Sequence, residues 1–259
     1  MSREHLSYAQ QKCVKSAGRS MQRTNMIAPG ARVGVAVSGG VDSWVLLEVL
    51  RRRQRIVPFR YEIMALHLNP GFDPANHAPL PDWLARYGVS GHVELTDHGP
   101  RGHSEENRKN SACFYCSRLR RKRLFELCRQ YNLSHLAFGH NTDDLVTTFF
   151  MNLLQNGRVD GLAMKDTFFQ GRLVVIRPLL LLEKADIIRA ARQWRLPVWH
   201  NPCPSAGHTR RAEIEDFVRD TCGQSLLTKK NLFNGLRKWQ MQLTQNDKTG
   251  TLARESGND

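Results

Sequence analysis

Short apolar runs, separated by longer apolar stripes, dominate the pattern of hydrophobic and polar positions along this chain. Five runs are short enough to predict strands, at residues 31–37, 61–68, 92–95, 135–138 and 173–176. Apolar residues at helical spacing lie between and after them, at residues 44–50, 79–88, 119–128, 145–154 and 183–194. This alternation predicts an α/β fold with a doubly wound, parallel five-stranded sheet and helices on both faces.

Changes in polarity divide the chain into four predicted parts. Residues 1–30 are polar and basic and are expected to form an N-terminal helical extension. Residues 31–207 carry the strand–helix pattern of the main domain, and residues 208–245 contain two further helices as a C-terminal extension. Residues 246–259 are polar and are expected to be disordered, because they offer little apolar surface to bury.

The clearest chemical signal is the sequence SGGVDS, residues 38–43, which joins the first predicted strand to the first helix. Two glycines let the backbone turn tightly, and its N–H groups, together with the helix N-terminus, form a site for phosphate. Ser38 and Ser43 add hydroxyl donors. Asp42 beside phosphates requires a cation, and Mg²⁺ would supply it. Neither GxxxxGK[ST] nor GxGxxG occurs at this turn.

A second polar sequence, GHNTDD, follows the fourth predicted strand and precedes a long apolar helix. Because parallel strands end at the same edge of a sheet, Asp143 and Asp144 are expected near Asp42. Clustered carboxylates beside phosphates are typical of Mg²⁺–ATP chemistry, which depends on positioning and charge neutralisation. The alternative is that this acidic pair only caps the helix.

Six cysteines in a chain that we expect to be cytoplasmic favour metal or redox chemistry over a disulfide framework. Cys113 and Cys116 form a CxxC motif, and Cys203 lies between two prolines. The CxxC motif alone is also typical of a redox pair. Three thiolates suit a [4Fe–4S] cluster with one open iron, or zinc with His200 or His208 as a fourth ligand. The residues alone leave these interpretations open.

Charge indicates the class of partner. The chain carries 38 Lys and Arg against 24 Asp and Glu, a formal net charge of +14, which favours nucleic acid. A basic run follows the CxxC motif, where Arg118, Arg120 and Arg121 are placed to hold ATP phosphates or an RNA backbone, unless they only form a solvated helix face. No run of about 20 apolar residues is present, so we expect no membrane association and a cytoplasmic location.

The segments SGGVDS, CFYCSRLRRKRLF, GHNTDDLVTTFFMNLL, VIRPL and PCPSAG follow one another over residues 33–207. Their combination resembles the tRNA 2-thiocytidine biosynthesis family of PP-loop ATP pyrophosphatases. The resemblance implies the cofactors ATP, Mg²⁺ and a [4Fe–4S] cluster, the cluster being held by Cys113, Cys116 and Cys203. The implied ATP-binding residues are Val37, Ser38, Gly39, Gly40, Asp42, Ser43, Leu68, Gly139 and Asp143. The implied RNA-binding residues are Arg118, Arg120, Arg121 and Arg177.

The resemblance also implies a reaction. ATP adenylates the C2 oxygen of a pyrimidine in tRNA, most consistent with cytidine, and sulfur then displaces AMP. Asp42, Asp143 and the three cysteines are the implied catalytic residues. The sulfur comes from a persulfide or sulfide at the open iron, supplied by a cysteine desulfurase or another sulfide donor. A homodimer is the expected working form.

The chain departs from the family pattern in three places. Val41 stands where the family loop often has lysine, Thr147 stands where many PP-loop enzymes have glutamate, and one cysteine replaces the pair in PCNLCGS. Two other functions therefore stay open. One is a PP-loop enzyme that adenylates a small molecule, and the other is an RNA-binding protein with a structural zinc.

Overall fold

The computed structural model describes residues 5–207, 209–223 and 225–255, with side chains as far as residue 242. His208, one of the two histidines considered as zinc ligands, lies outside these residues. Within the described ranges no helix is both long and apolar enough to cross a membrane.

The sheet has six strands in the order β3-β2-β1-β4-β6-β5. The strands are β1 Arg32–Ala36, β2 Glu62–Asn69, β3 Ser90–Leu95, β4 His135–Ala137, β5 Lys165–Phe168 and β6 Leu173–Ile176. The five predicted strands are all present and parallel. The sixth, β5, is an antiparallel edge strand on β6 that the prediction of five strands missed. Its sequence, KDTF, is too short and too polar to predict a strand, and the strand is defined by its pairing with β6.

Helices cover both faces of the sheet, so the predicted doubly wound architecture is confirmed. They are α1 Tyr8–Arg23, α2 Val41–Arg53, α3 Pro79–Tyr87, α4 His98–Gly102, α5 Ala112–Gln130, α6 Thr142–Asn156, α7 Lys184–Trp194, α8 Arg210–Gly223 and α9 Leu226–Glu255. The short α4 lies between β3 and the CxxC motif, in a segment for which no helix was predicted. Helix α9 continues to Glu255, into the range 246–259 for which disorder was expected. The four-part division of the chain stays a prediction.

Alternation along β2 divides the core into two apolar clusters. Ile63 and Ala65 belong to the cluster shared with α1, α2 and α7, whereas Leu66 and Leu68 belong to the cluster covered by α5. The N-terminal helix is part of this core, since Cys13 is fully buried on it. Burial raises the pKa of the Cys13 thiol to about 12, which leaves it protonated and unreactive at neutral pH.

Candidate active site

The SGGVDS loop, residues 38–43, runs from the end of β1 into the first turn of α2. Gly39 has φ +90°, a conformation that glycine adopts without strain. The Ser43 hydroxyl donates to the Gly40 carbonyl at 2.8 Å and accepts from the Ser38 N–H at 3.1 Å, which closes the turn. Gly40 is the N-cap of α2 and has no side chain to cap the helix. The helix N-terminus is therefore available to an anion.

The second loop, which follows β4, lies directly on the first. A Cβ atom added to Gly139 would approach the Asp42 carbonyl carbon and oxygen to 2.9 Å and the Ser43 nitrogen to 3.0 Å. These neighbours are backbone atoms that have little freedom to shift, so only glycine allows the two loops to touch. This contact brings the GHNTDD sequence to the mouth of the SGGVDS loop.

A cleft of about 180 Å³ opens between the two loops and α5. It is lined by Ala36, Val37, Ser38, Asp42, Ser43, Leu66, Leu68, Arg120, Leu124, Phe138, Gly139, His140 and Asp144. Six of the expected ATP-binding residues are among them, namely Val37, Ser38, Asp42, Ser43, Leu68 and Gly139. Gly39 and Gly40 belong to the adjoining loop. Glycine N–H groups, hydroxyls and an apolar wall fit a nucleotide.

Asp42 is held from two sides at the edge of the cleft. Its Oδ1 accepts a hydrogen bond of 2.9 Å from the Asn141 amide, and its Oδ2 is paired with the Lys184 ammonium. Lys184 is the first residue of α7 and was not foreseen as a site residue. It places a cation beside a loop in which Val41 occupies the family's lysine position.

The two acidic residues of GHNTDD face different neighbours. The Asp143 carboxylate accepts a 2.9 Å hydrogen bond from the Lys184 N–H, so it caps α7. Asp144 accepts from the Asn141 N–H at 2.8 Å, is paired with Arg211, and lines the cleft. Asp143, the expected ATP ligand, is not among the cleft-lining residues, and its catalytic role stays a prediction.

The acidic groups fit Mg²⁺ in number and type. Asp42 and Asp144 present two carboxylates to the same cleft. Mg²⁺ in nucleotide sites is commonly held by one or two carboxylates together with phosphate oxygens and water. Oxygen donors of this kind suit that ion, provided that the nucleotide completes the shell.

His140 is a cleft residue that the sequence reasoning passed over, although it stands inside the quoted motif. Burial and the positive charges of Arg177 and Arg211 lower the pKa of His140 to about 3. The imidazole is therefore neutral at pH 7. Its buried Nδ1 atom finds no hydrogen-bond partner within the described part of the chain, so it is a candidate contact for a bound substrate.

The three candidate cluster cysteines lie on two elements that adjoin the nucleotide site: α5, whose Arg120 and Leu124 line the cleft, and the segment after α7 that hydrogen-bonds Ser38 and Gly39. Cys113 and Cys116 occupy the first turns of α5, and Cys203 lies in the loop after α7. Burial raises the pKa of the Cys113 and Cys116 thiols, and negative charge on Cys203 raises both further. Electrostatic effects of this kind act over longer distances than a shared metal ion allows, so they place the three cysteines only in one region of the molecule.

The sequence left two metal interpretations of the three cysteines open, an iron–sulfur cluster and a zinc site. Among residues 5–207, 209–223 and 225–255, no group of three or more His, Cys, Asp and Glu side chains is placed to hold a metal ion. The donor type still fits an iron–sulfur cluster, because the three thiols are soft ligands and none of them is in a disulfide. His200 is exposed.

The four arginines expected to bind RNA occupy two different settings. Arg118, Arg120 and Arg121 are exposed on α5, and Arg120 also lines the cleft. Arg177 is nearly buried, and its guanidinium is 2.7 Å from Asp166 on β5. An RNA phosphate would have to displace that carboxylate. Of these four arginines, therefore, only the three on α5 are open to RNA.

Together the fold and the site define the class of protein. A glycine turn between the first strand and its helix, with an acidic loop on it at the carboxyl edge of a parallel sheet, is the nucleotide site of a PP-loop protein. The PP-loop domain family matches residues 10–219. The chain belongs to the PP-loop family that contains the tRNA-cytidine(32) 2-sulfurtransferases, so the resemblance found in the sequence is confirmed.

Two of the relatives that carry that name show how far the match extends. The protein from Geotalea uraniireducens is 34% identical over 227 residues, which cover 86% of this chain and 89% of the relative. The Bordetella pertussis protein is 34% identical over 224 residues, which cover 85% of this chain and 69% of the relative. These coverages extend the match beyond the nucleotide loop to nearly the whole fold.

Two solved structures share the fold. The U34-tRNA thiolase NcsA from Methanococcus maripaludis, solved with its [4Fe-4S] cluster, superposes with a TM-score of 0.72 at 21% identity, over 89% of this chain and 80% of the other. An NH3-dependent NAD synthetase from Campylobacter jejuni has a TM-score of 0.50 at 16% identity, over 92% of this chain and 94% of the other. At these identities both likenesses concern the fold alone.

Proposed function

We propose that this protein is an ATP-dependent tRNA sulfurtransferase that replaces the C2 oxygen of a cytidine by sulfur. The observation that carries the proposal is the position of the three cysteines. Cys113 and Cys116 lie on α5, whose Arg120 and Leu124 line the cleft, and Cys203 ends the segment that hydrogen-bonds the SGGVDS loop, so the candidate sulfur site adjoins the nucleotide site. The names of the relatives support cytidine as the base and position 32 as its place.

The first step consumes ATP. The cytidine C2 oxygen attacks the α-phosphorus, the bond to the β-phosphate oxygen breaks, and pyrophosphate leaves. Backbone N–H groups of Gly39 and Gly40 and the N-terminus of α2 receive the leaving pyrophosphate. Asp42 and Asp144 would hold Mg²⁺, which would neutralise charge on the phosphates. Adenylation is needed because the carbonyl oxygen is a poor leaving group until it carries AMP.

The second step introduces sulfur. Hydrosulfide attacks C2, the C2–oxygen bond breaks, AMP leaves, and the sulfur proton passes to solvent. No electrons are gained or lost when hydrosulfide is the donor. Cys113, Cys116 and Cys203 would hold a [4Fe–4S] cluster, which would supply an iron site able to bind the sulfide. A cysteine desulfurase or another sulfide donor as partner, and a homodimer as the working form, belong to the same proposal.

The proposal is tested by assaying anaerobically purified, cluster-loaded protein with sulfide, Mg²⁺, ATP and a tRNA transcript that carries cytidine at position 32. Digestion and mass spectrometry of nucleosides are expected to show 2-thiocytidine, with AMP and pyrophosphate formed in equal amounts. A matched transcript with uridine at position 32 is expected to give no 2-thiocytidine. Conversion of ATP without any thiolated nucleoside would favour the small-molecule enzyme, and absence of ATP conversion would favour the zinc protein.

The exposed arginines of α5 provide a second prediction. Arg121→Gln is expected to weaken tRNA binding and to reduce the slope of log K against log salt concentration by about 0.7–0.9 for each RNA phosphate that Arg121 neutralises. The cause is the release of fewer counterions. Filter binding at several salt concentrations measures both quantities.

The matched control is Arg55→Gln, because Arg55 is an exposed arginine in a depression at the opposite end of the sheet. Its slope is expected to equal that of the wild type. Identical slopes for Arg121→Gln and the wild type would remove α5 from the RNA-binding surface.

A further inference from the structure

A short segment, residues 199–203, lies across the SGGVDS loop and is called the strap. The Trp199 N–H donates to the Gly39 carbonyl at 3.0 Å, and the Asn201 side-chain amide donates to the Ser38 carbonyl at 3.3 Å. The Trp199 ring packs so closely that a Cβ atom on Gly39 would come within 2.2 Å of it. The strap therefore contacts both residues that begin the turn.

The other end of the strap carries Cys203. The Cys203 N–H donates to the Asn201 carbonyl at 2.8 Å, and the Ala206 N–H donates to the Cys203 carbonyl at 3.0 Å. The Ser205 hydroxyl then contacts His103 Nε2 at 2.8 Å, which ties this end to the segment before α5. Asn201 thus reaches the nucleotide loop with its side chain and the third cysteine with its backbone.

The side chain of Asn201 is oriented by a third element. The Asn76 amide, in the loop between β2 and α3, donates to Asn201 Oδ1 at 2.5 Å, and the Asn69 amide donates to Asn76 Oδ1 at 3.2 Å. With its oxygen engaged, Asn201 turns its amide nitrogen toward Ser38. Trp199 is similarly held, between the rings of Trp44 and His67 at 5.7 and 5.4 Å.

We infer that Asn201 is a positioning residue that couples the seating of Cys203 to the shape of the SGGVDS loop, so that the cluster and ATP bind cooperatively. The inference rests on the proposed function for the cluster itself. Movement of Cys203 toward the other two cysteines displaces the strap, and the strap's two hydrogen bonds transmit that displacement to the carbonyls of Ser38 and Gly39. Linkage makes the effect reciprocal, since each ligand then strengthens binding of the other by the same factor.

The test compares nucleotide affinity with and without the cluster. The dissociation constant of Mg²⁺–α,β-methylene-ATP is measured by anaerobic calorimetry on cluster-loaded and chelator-treated full-length protein, and circular dichroism checks that both are folded. Loaded wild type is expected to bind at least about fivefold more tightly, the lower end of ordinary coupling. In Asn201→Ala the ratio is expected to fall to about one, with iron content unchanged.

The matched control is Asn156→Ala, an exposed asparagine at the end of α6, which is expected to keep the wild-type ratio. A wild-type ratio of one overturns the inference and leaves the sulfurtransferase proposal intact, whereas protein that takes up no iron and sulfide overturns both. Asn201→Ala that weakens binding equally in both states also overturns it, because a merely structural role has that result. Should this variant not fold, Asn76→Ala removes the partner of Asn201 and is expected to lower the ratio.

Discussion

Asp42→Asn is expected to reduce conversion of ATP to AMP by about 100–1000-fold, the usual effect of removing one electrostatic contact from a reacting group. The substitution preserves the size of the side chain but removes the negative charge that is paired with Lys184. Lys184 then loses its partner at the cleft, and Mg²⁺, in the proposed function, would lose a ligand. AMP release, followed by chromatography in the presence of tRNA and sulfide, measures the loss.

The control for this variant is Asp82→Asn. Asp82 likewise lies in the first turn of a helix, α3, but it is exposed and does not line the cleft. It is expected to retain wild-type turnover. The Asp42 variant is also expected to keep its iron and sulfide, because the cysteines are untouched. If Asp42→Asn still thiolates tRNA at the wild-type rate, the SGGVDS loop is not the ATP site.

Cys203→Ala is expected to remove nearly all iron and sulfide from the purified protein and to abolish thiolation. Cys113 and Cys116 lie on one helix, α5, whereas Cys203 lies in the loop after α7 and is the one candidate ligand from outside that helix. A cluster left with two thiolate ligands has half of its coordination supplied by solvent and is readily lost. Iron and acid-labile sulfide analysis, with the visible absorption spectrum of anaerobically purified protein, measures the effect.

Cys222→Ala is the matched control, since Cys222 is a partly exposed cysteine on α8. Its iron content and activity are expected to equal those of the wild type. A Cys203→Ala protein that remains brown and active would remove Cys203 from the cluster. A wild-type protein that is colourless and contains zinc would support the structural-zinc alternative and would reopen the question of the substrate.

The Asp42 prediction depends on charges whose partners come from elsewhere in the chain. Asp42 is paired with Lys184, and Asp144 is paired with Arg211. At pairs that remain partly exposed, such contacts contribute only modestly to stability. Their position at the cleft matters more, because it brings two cations to the place where nucleotide phosphates would lie.

The site could be located from the sequence because its chemistry is local. The alternation in β1 and β2 and the turn chemistry of SGGVDS are properties of neighbouring residues, and parallel strands end at a common edge. These facts were sufficient to predict that Asp42 lies close to the GHNTDD sequence. The same locality explains the five predicted strands, each of which is apolar enough to be recognised alone.

Only the tertiary structure decided which side chains complete the site. Lys184 lies 142 residues from Asp42, and no periodicity links the two positions. Which of Asp143 and Asp144 faces the cleft is decided by α7 and α8. The Lys184 N–H at the start of α7 binds the Asp143 carboxylate, and Arg211 of α8 binds the Asp144 carboxylate. Strand β5 exists because β6 offers it an edge, not because its own residues favour extended structure.

The sequence by itself was therefore sufficient to determine the fold class and the nucleotide loop and to single out three candidate cluster cysteines, because each depends on residue types at short spacing. The contacts of Lys184, His140 and the strap were decided by packing between segments that the fold alone brings together. Side-chain orientation at such contacts is set by neighbours distant along the chain. For that reason Trp199 and Asn201, which read as ordinary loop residues, stand against the centre of the site.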